Sequence, residues 1–138
     1  MGLMVDANVF IEFERRNLPI DLSQRQPSDD VFISVVTVSE LLMGVHRADN
    51  EGRRKRRSEF VEAVLAGVSV LDFTTAVARC HAQIYSDLAR RGQLIGAHDM
   101  IIAATALHHG LSLLTGNVDE FSRVPNLNVV RFGEGARE

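Results

Sequence analysis

The amino-acid sequence predicts an α/β protein in which a parallel β-sheet of about five strands is flanked by helices on both faces. Short apolar segments, rich in β-branched residues and too short for helices, alternate along the chain with longer segments of helical periodicity. The short segments are almost wholly apolar, which is typical of strands buried on both sides of a parallel sheet. In such a sheet, ligands bind beyond the carboxyl ends of the strands, where the strand order reverses.

The order of the elements follows from the same patterns. The predicted strands are Leu3–Val5, Val31–Val36, Val68–Leu71, Leu111–Leu114 and Leu127–Val130. The predicted helices are Val9–Arg15, one that begins at Thr37, one with a basic outer face that follows Arg47 and extends through Leu65, Thr75–Arg91 and Asp99–His108. Between the first helix and the second strand, Asn17–Asp30 contains two prolines among polar residues, which predicts an irregular connection.

Capping residues indicate several helix boundaries. Thr37-Val38-Ser39-Glu40 matches the capping box, in which the threonine hydroxyl accepts from a free backbone N–H and the glutamate reaches back to the cap. Gly92 and Gly110 follow the last two predicted helices, and glycine is the residue most typical of a helix end. These residues therefore mark where the predicted helices begin or end.

Length and composition indicate one domain spanning residues 1–138, with the last few residues frayed. The chain has 46% hydrophobic and 24% charged residues, and a chain of this size can fold without a disulfide or a structural metal. Its single cysteine, Cys80, cannot form an internal disulfide and fits a reducing compartment. The sequence shows no signal-peptide pattern and no apolar run of about 18 residues, so we expect a cytoplasmic protein without a membrane span.

The charge balance excludes a protein that coats nucleic acid through a general positive field, because the net charge is −3. The distribution is uneven, since the basic run Arg53–Arg57 holds five of the 15 lysines and arginines. The rest of the chain therefore carries a marked excess of acids, which needs an explanation.

Oxygen-bearing side chains recur at the carboxyl ends of the predicted strands or near the starts of the following helices. They are Asp6, Glu40, Asp99, Asn117 and Asp119. We expect them to share one crevice, and carboxylates so close together repel one another unless a cation lies between them. Oxygen ligands without cysteine or histidine partners favour Mg²⁺ or Mn²⁺, and such ions serve phosphodiester hydrolysis.

Each acid also has a local explanation. Asp6 could only bond Asn8 in a turn, and Glu40 could only complete its capping box. Asp99 could simply favour the positive end of its helix, and Asp119 could cap a short helical turn. These separate roles do not explain why acids recur at one edge of the sheet.

The same segments resemble a known family. Met4–Phe10 (MVDANVF) resembles the first motif of PIN-domain ribonucleases, and Ser34–Gly44 (SVVTVSELLMG) resembles the strand and helix that carry their glutamate. Gly92–Phe121 is the most specific match, since it resembles the third and fourth acidic motifs of the VapC toxins of bacterial toxin–antitoxin pairs. The motifs extend from the N-terminus to about Val130.

The resemblance implies a Mg²⁺- or Mn²⁺-dependent endoribonuclease in which Asp6, Glu40 and Asp99 take the three core acidic positions. The family's Thr-x-Asp/Asn signature falls on Thr115-Gly116-Asn117, so a neutral amide matches the fourth position and would hold a second metal ion weakly.

Two further features of that fourth motif stay open. Asp119 and Glu120 follow the amide by two and three residues, and either could supply the fourth position instead. Thr115 would orient the site or contact the substrate through its hydroxyl.

The resemblance also implies partners. Similar toxins cleave a structured RNA, often a transfer RNA, and thereby stop translation; they form homodimers and are silenced by a VapB-type antitoxin. Arg90 and Arg91 are candidate phosphate contacts beside the site, and the basic run is a more distant one. With one tyrosine and no tryptophan, the chain is poorly equipped to stack bases, so recognition of RNA shape is expected.

Two alternatives remain at this stage. A PIN-type nuclease of RNA maturation would have the same chemistry without an antitoxin. A receiver-like signalling domain also carries acids and Mg²⁺ at its strand ends, but it needs a lysine after its last strand, and Lys55, in a predicted helix, is the only lysine here.

Overall fold

The protein is described here by a computed structural model that covers residues 2–17 and 30–132. Apart from its two end residues, the predicted connection Asn17–Asp30 lies outside these described residues, as do residues 133–138. The strands are β1 (Leu3–Val5), β2 (Val31–Ser34), β3 (Ser69–Leu71), β4 (Ser112–Thr115) and β5 (Val129–Arg131). The helices are α1 (Ala7–Arg15), α2 (Val35–Arg47), α3 (Glu51–Gly67), α4 (Thr75–Arg90), α5 (Ala97–His108) and α6 (Val118–Phe121).

The strands form one parallel sheet in the order β3-β2-β1-β4-β5. From β1 the chain proceeds through β2 to β3 on one side, then returns to place β4 and β5 on the other. The order therefore reverses between β1 and β4, where Val5 is in register with Leu114. This is the point at which a sheet of this type forms its ligand crevice.

Two apolar cores confirm that helices cover both faces of the sheet. Successive strand residues point to opposite faces, so Leu3 and Val5 pack with α1, α2 and α3, while Met4 packs with α4 and α5. The pattern repeats in β4, where Leu114 belongs to the first core and Leu113 to the second. None of the helices in the described ranges is both long and apolar enough to cross a bilayer.

The start of α2 corrects the sequence prediction. β2 ends at Ser34 rather than at Val36, and the Ser34 hydroxyl, not that of Thr37, accepts from a helix N–H, that of Val36, at 3.1 Å. The prediction of a capping box at Thr37 is therefore wrong, because the Ser34 hydroxyl already caps the helix. Glu40 consequently lies in the second turn of α2 and is released from any capping role.

Two smaller differences concern the carboxyl edge. The short helix α6 was not predicted as an element, and Asp119 lies inside it rather than at its cap, which is Asn117.

Gly92 and Gly110 end α4 and α5 as predicted, and both have the positive φ (66° and 67°) that glycine tolerates best.

Candidate active site

Asp6 directly follows β1, at the edge where the strand order reverses. Its backbone N–H bonds the Leu114 carbonyl of β4 at 3.0 Å, and its side chain caps α1 by accepting from the Ala7 N–H at 2.8 Å. The other carboxylate oxygen, Oδ2, accepts from the Thr115 hydroxyl at 2.8 Å and from the Asn8 amide at 3.2 Å. The predicted turn contact with Asn8 is thus present together with a fixed, buried carboxylate.

Thr115 is fully buried at the end of β4. Its hydroxyl donates to Asp6 and accepts from the Asn117 N–H at 2.9 Å, so both its donor and an acceptor site are used inside the protein. The hydroxyl of Thr115 is thus held inside the protein beside Asp6, and its expected contact with the substrate stays a prediction.

A cavity of about 490 Å³ opens beside these residues. It is lined by four of the predicted site residues, which come from the ends of β1 and β4 and from α2 and α5: Asp6, Glu40, Asp99 and Asn117. Three further polar residues, Asn8, Arg47 and His98, also line it.

Glu40 and His98 connect the two helices on either side of this cavity. His98 Nδ1 lies 3.0 Å from Glu40 Oε2, and because a carboxylate can only accept, the hydrogen bond requires a proton on Nδ1. This contact fixes one oxygen of Glu40 and leaves Oε1 without a partner among the described residues.

Asp99 has the most strongly altered ionisation in the site. Partial burial in the first turn of α5, a hydrogen bond with Glu120, and the nearby charges of Asp6, Glu120 and Glu40 raise the pKa of Asp99 to about 7. The same hydrogen bond, with one from the Gly96 N–H at 3.2 Å, lowers the pKa of Glu120.

The pKa of Asp6 is also raised. Burial is the largest cause, and the charge of Glu40 adds to it, while hydrogen bonds from Thr115, Ala7 and Asn8 act in the opposite direction. The cavity therefore holds carboxylates that are costly to ionise together, and a cation among them would lower that cost.

Comparison with known proteins decides the family. The chain matches the family model described as PIN domain over residues 3–127. The chain belongs to the PIN-domain family. Ribonuclease VapC1 of Rickettsia felis is 38% identical over 130 residues, which cover 94% of this chain and 96% of that protein. The tRNA(fMet)-specific endonuclease VapC of Shigella flexneri is 34% identical, with 92% of this chain and 95% of that protein covered.

Solved structures agree with this assignment. The chain matched in the DNA-bound VapBC structure from Salmonella typhimurium superimposes with a TM-score of 0.83 at 30% identity, covering 95% of this chain and 98% of that one. VapBC2 from Rickettsia felis gives a TM-score of 0.86 at 23% identity, which shows a common fold. The chain is thus a nuclease of the VapC type, and the receiver-like alternative is wrong.

The donor set of this PIN domain fits a hard divalent cation, the kind of ion that PIN-domain nucleases use. Asp6, Glu40 and Asp99 offer carboxylate oxygens, and Asn117 offers an amide oxygen. Within residues 2–17 and 30–132, no three acidic, histidine or cysteine side chains converge tightly enough to enclose an ion by themselves. Mg²⁺ suits such an open arrangement, because it keeps several waters and needs only one or two carboxylates.

Glu120 rather than Asp119 approaches the acids of the PIN domain. Glu120 shares a hydrogen bond with Asp99 and accepts another from the Gly96 N–H. Asp119, in contrast, is exposed and does not line the cavity. A four-residue helix explains the difference, since its consecutive side chains point in different directions around the axis. The sequence left this choice open because α6 was not recognised.

The predicted basic contacts lie elsewhere. Arg90 and Arg91 pair with Asp87 on their own helix at 3.6 and 2.6 Å, and neither lines the acidic cavity. In the basic run, Arg53 and Arg54 pair with acids at the start of α3. Arg57 instead joins three helices, since it donates to Glu14 of α1 and to the Gly44 carbonyl of α2, each at 3.2 Å.

Sequence reasoning missed Arg47 although a signal for it was present. Arg47 follows Glu40 by seven residues on α2, which places both on one helix face. A basic residue two turns after a site glutamate is therefore expected to share its cavity.

Proposed function

We propose that this VapC-family protein is a toxin that acts in the cytoplasm as a Mg²⁺-dependent endoribonuclease (Mn²⁺ could replace Mg²⁺) and cleaves a structured RNA, a transfer RNA. One observation carries the proposal: Asp6, Glu40, Asp99 and Asn117, from distant parts of the chain, line one cavity at the strand-order reversal. A carboxylate cavity with raised pKa values is poorly suited to bind RNA by itself and well suited to bind it through a cation.

The residues have separate roles in this proposal. Asp6, Glu40, Asp99 and Asn117 would hold the cation, which supplies an activated water and neutralises charge that develops on the phosphoryl oxygens. Thr115 and Asn8 hold Asp6 in place through its Oδ2. His98 holds Glu40 through its Nδ1, and Glu120 shares a hydrogen bond with Asp99.

Relatives support the substrate and the partners. Proteins of Shigella flexneri and Salmonella typhimurium at 34% and 33% identity are named tRNA(fMet)-specific endonucleases. Solved structures that match the fold are VapBC complexes. We therefore infer a transfer RNA substrate, inhibition of translation, a VapB-type antitoxin that silences the toxin, and a homodimeric toxin.

The test is cleavage of purified transfer RNA by the wild type and by Asp6→Ala and Asp99→Ala, with Glu62→Gln as a control acid that is exposed on α3. We expect both site variants to lose Mg²⁺-dependent cleavage while their circular dichroism stays that of the wild type. The control should cleave normally. Full activity in either site variant would refute the mechanism.

A second readout does not depend on activity. Mg²⁺ should raise the Tm of the wild type more than that of Asp99→Ala, because a ligand stabilises only the state that binds it. Mapping of new 5′ ends in cells that express the wild type or Asp99→Ala would then identify the RNA. Growth arrest relieved by a co-expressed antitoxin would separate a toxin from a nuclease of RNA maturation.

A further inference from the structure

Arg47 lines the acidic cavity but forms no ion pair with the acids there. It lies exposed in the last turn of α2 and lines the same cavity as Asp6, Glu40 and Asp99. Among the described residues it forms no ion pair with any of them. Its guanidinium donors are therefore available to a ligand in the cavity.

Helix geometry explains why the ion pair is absent. Glu40, Met43 and Arg47 line the cavity from one face of α2, at the i, i+3 and i+7 positions of that helix. Seven residues correspond to about 10 Å along a helix axis, so the backbone of Arg47 stands well beyond the carboxylates. If one group of a larger ligand is bound at the carboxylates, Arg47 therefore lies beside the next group of that ligand and not beside the bound group itself.

Seven other arginines of the described residues already have carboxylate partners. Arg15, Arg16, Arg53, Arg54, Arg57, Arg90 and Arg91 each form an ion pair. Arg47 combines three properties that they do not share: it lines the acidic cavity, is exposed and has no ion pair among the described residues.

We propose that Arg47 binds an RNA phosphate that flanks the scissile one and so sets the position of the strand in the site. This inference rests on the proposed function, because it takes RNA as the substrate. The guanidinium presents a planar fork of donors that matches two phosphate oxygens. A cation at this position also reduces the repulsion that the acidic cavity exerts on the rest of the RNA backbone.

A purely structural role would have a different signature. A cation in the last turn of a helix interacts favourably with the carbonyl end of the helix. Loss of that interaction would lower the Tm of the protein, but it would leave the salt dependence of RNA binding unchanged.

The experiment measures binding of purified transfer RNA over a series of salt concentrations. The parent is Asp99→Asn, which on the proposed function does not cleave RNA but keeps Asp6, Glu40 and Asn117 to hold the cation through which RNA binds. It is compared with the same protein carrying Arg47→Gln, Arg47→Lys or Arg79→Gln. Arg79 is the matched control, since it is exposed on α4 and does not line the cavity.

We expect Arg47→Gln to weaken binding about 5- to 10-fold and to reduce the slope of log Kobs against log salt by about 1. Arg47→Lys should keep the slope and lose part of the affinity, because it keeps the charge but not the fork. Arg79→Gln should match the parent.

Two results would overturn the inference. If Arg47→Gln binds as the Arg79→Gln control does, or lowers only the Tm, Arg47 does not contact phosphate. If the parent and every variant fail alike to bind transfer RNA while wild-type protein also fails to cleave it, the proposed function is wrong and the inference falls with it.

Discussion

The Thr115 hydroxyl donates a 2.8 Å hydrogen bond to Asp6 Oδ2 and so joins two residues 109 positions apart in the chain. The pairing of β1 with β4 makes this contact possible. It sets Val5 beside Leu114, so the residues that follow them, Asp6 and Thr115, lie at the same edge of the sheet. A buried carboxylate held in this way is already oriented for a ligand before the ligand arrives.

Thr115→Val should weaken both folding and metal binding. The substitution removes the donor to Asp6 and the acceptor for the Asn117 N–H, and leaving such groups unpaired costs about 1–3 kcal/mol of the free energy of unfolding. Loss of a group that orients a ligand typically lowers metal affinity about 10- to 100-fold. Urea unfolding in EDTA and Mg²⁺ titration of the Tm measure the two effects.

The same variant tests the ionisation of Asp6. The Thr115 hydrogen bond lowers the pKa of Asp6, so its loss should raise that pKa further and move the onset of Mg²⁺ binding to higher pH. Thr115→Ser keeps the hydroxyl and should retain the wild-type onset. An identical pH profile for the valine and serine variants would show that the hydroxyl does not control Asp6.

Asp99→Asn should stabilise the metal-free protein at neutral and alkaline pH. The folded protein raises the pKa of Asp99 to about 7, through burial and the neighbours Glu120, Asp6 and Glu40. A carboxyl with a raised pKa holds its proton more tightly in the folded protein. Its contribution to the free energy of unfolding is therefore fully present below the ordinary pKa and is lost as pH rises through 7. An asparagine has no such loss, so we expect Asp99→Asn to raise the free energy of unfolding at pH 8. The gain should be only about 1–2 kcal/mol, because solvent partly screens this half-buried group.

Chemical denaturation in EDTA at pH 5 and pH 8 measures this gain. It should be clearly smaller at pH 5, where Asp99 is protonated. Glu120→Gln should give a partial gain at pH 8, because it removes one of the charges that face Asp99. Equal stability of the wild type and Asp99→Asn at pH 8 would mean that Asp99 is not under electrostatic strain.

The fold could be predicted from the sequence because its central strands, β1 and β4, are buried on both faces and the other strands are short and mostly apolar. β1 was predicted with its observed bounds, and β2, β3, β4 and β5 were all located, since each is a short apolar run beside a polar boundary. The start of α2 was misplaced by two residues because Ser34 and Thr37 offer similar caps, and only the tertiary packing decides between them. Periodicity cannot detect the four-residue α6 at all.

The site was predictable where backbone position alone decides it. Asp6, Glu40, Asp99 and Asn117 line the cavity as expected, because the topology brings those strand ends and helix starts to one edge. Side-chain direction was not predictable in the same way. Thr115 points inward to a buried carboxylate rather than outward.

Arg57→Ala should destabilise the fold, which distinguishes Arg57 from the rest of the basic run. Its guanidinium joins α3 to Glu14 of α1 and to the Gly44 carbonyl of α2, and such charge-assisted contacts are worth about 1–2 kcal/mol when partly buried. Lys55→Ala is the matched control, because Lys55 is exposed and forms no ion pair among the described residues. Equal Tm values for the two variants would contradict this role.

Thr37→Val should make the protein more stable, by about 1–3 kcal/mol. Thr37 is fully buried, and its hydroxyl has no hydrogen-bond partner among the described residues, because Ser34 caps α2 in its place. A buried hydroxyl without a partner is destabilising by about that amount, and valine has nearly the same shape without the polar atom. Thermal and urea unfolding measure the gain, with Thr37→Ser as the comparison that keeps the hydroxyl and loses a methyl group. A stability of Thr37→Val below that of the wild type would show that this hydroxyl is satisfied in solution.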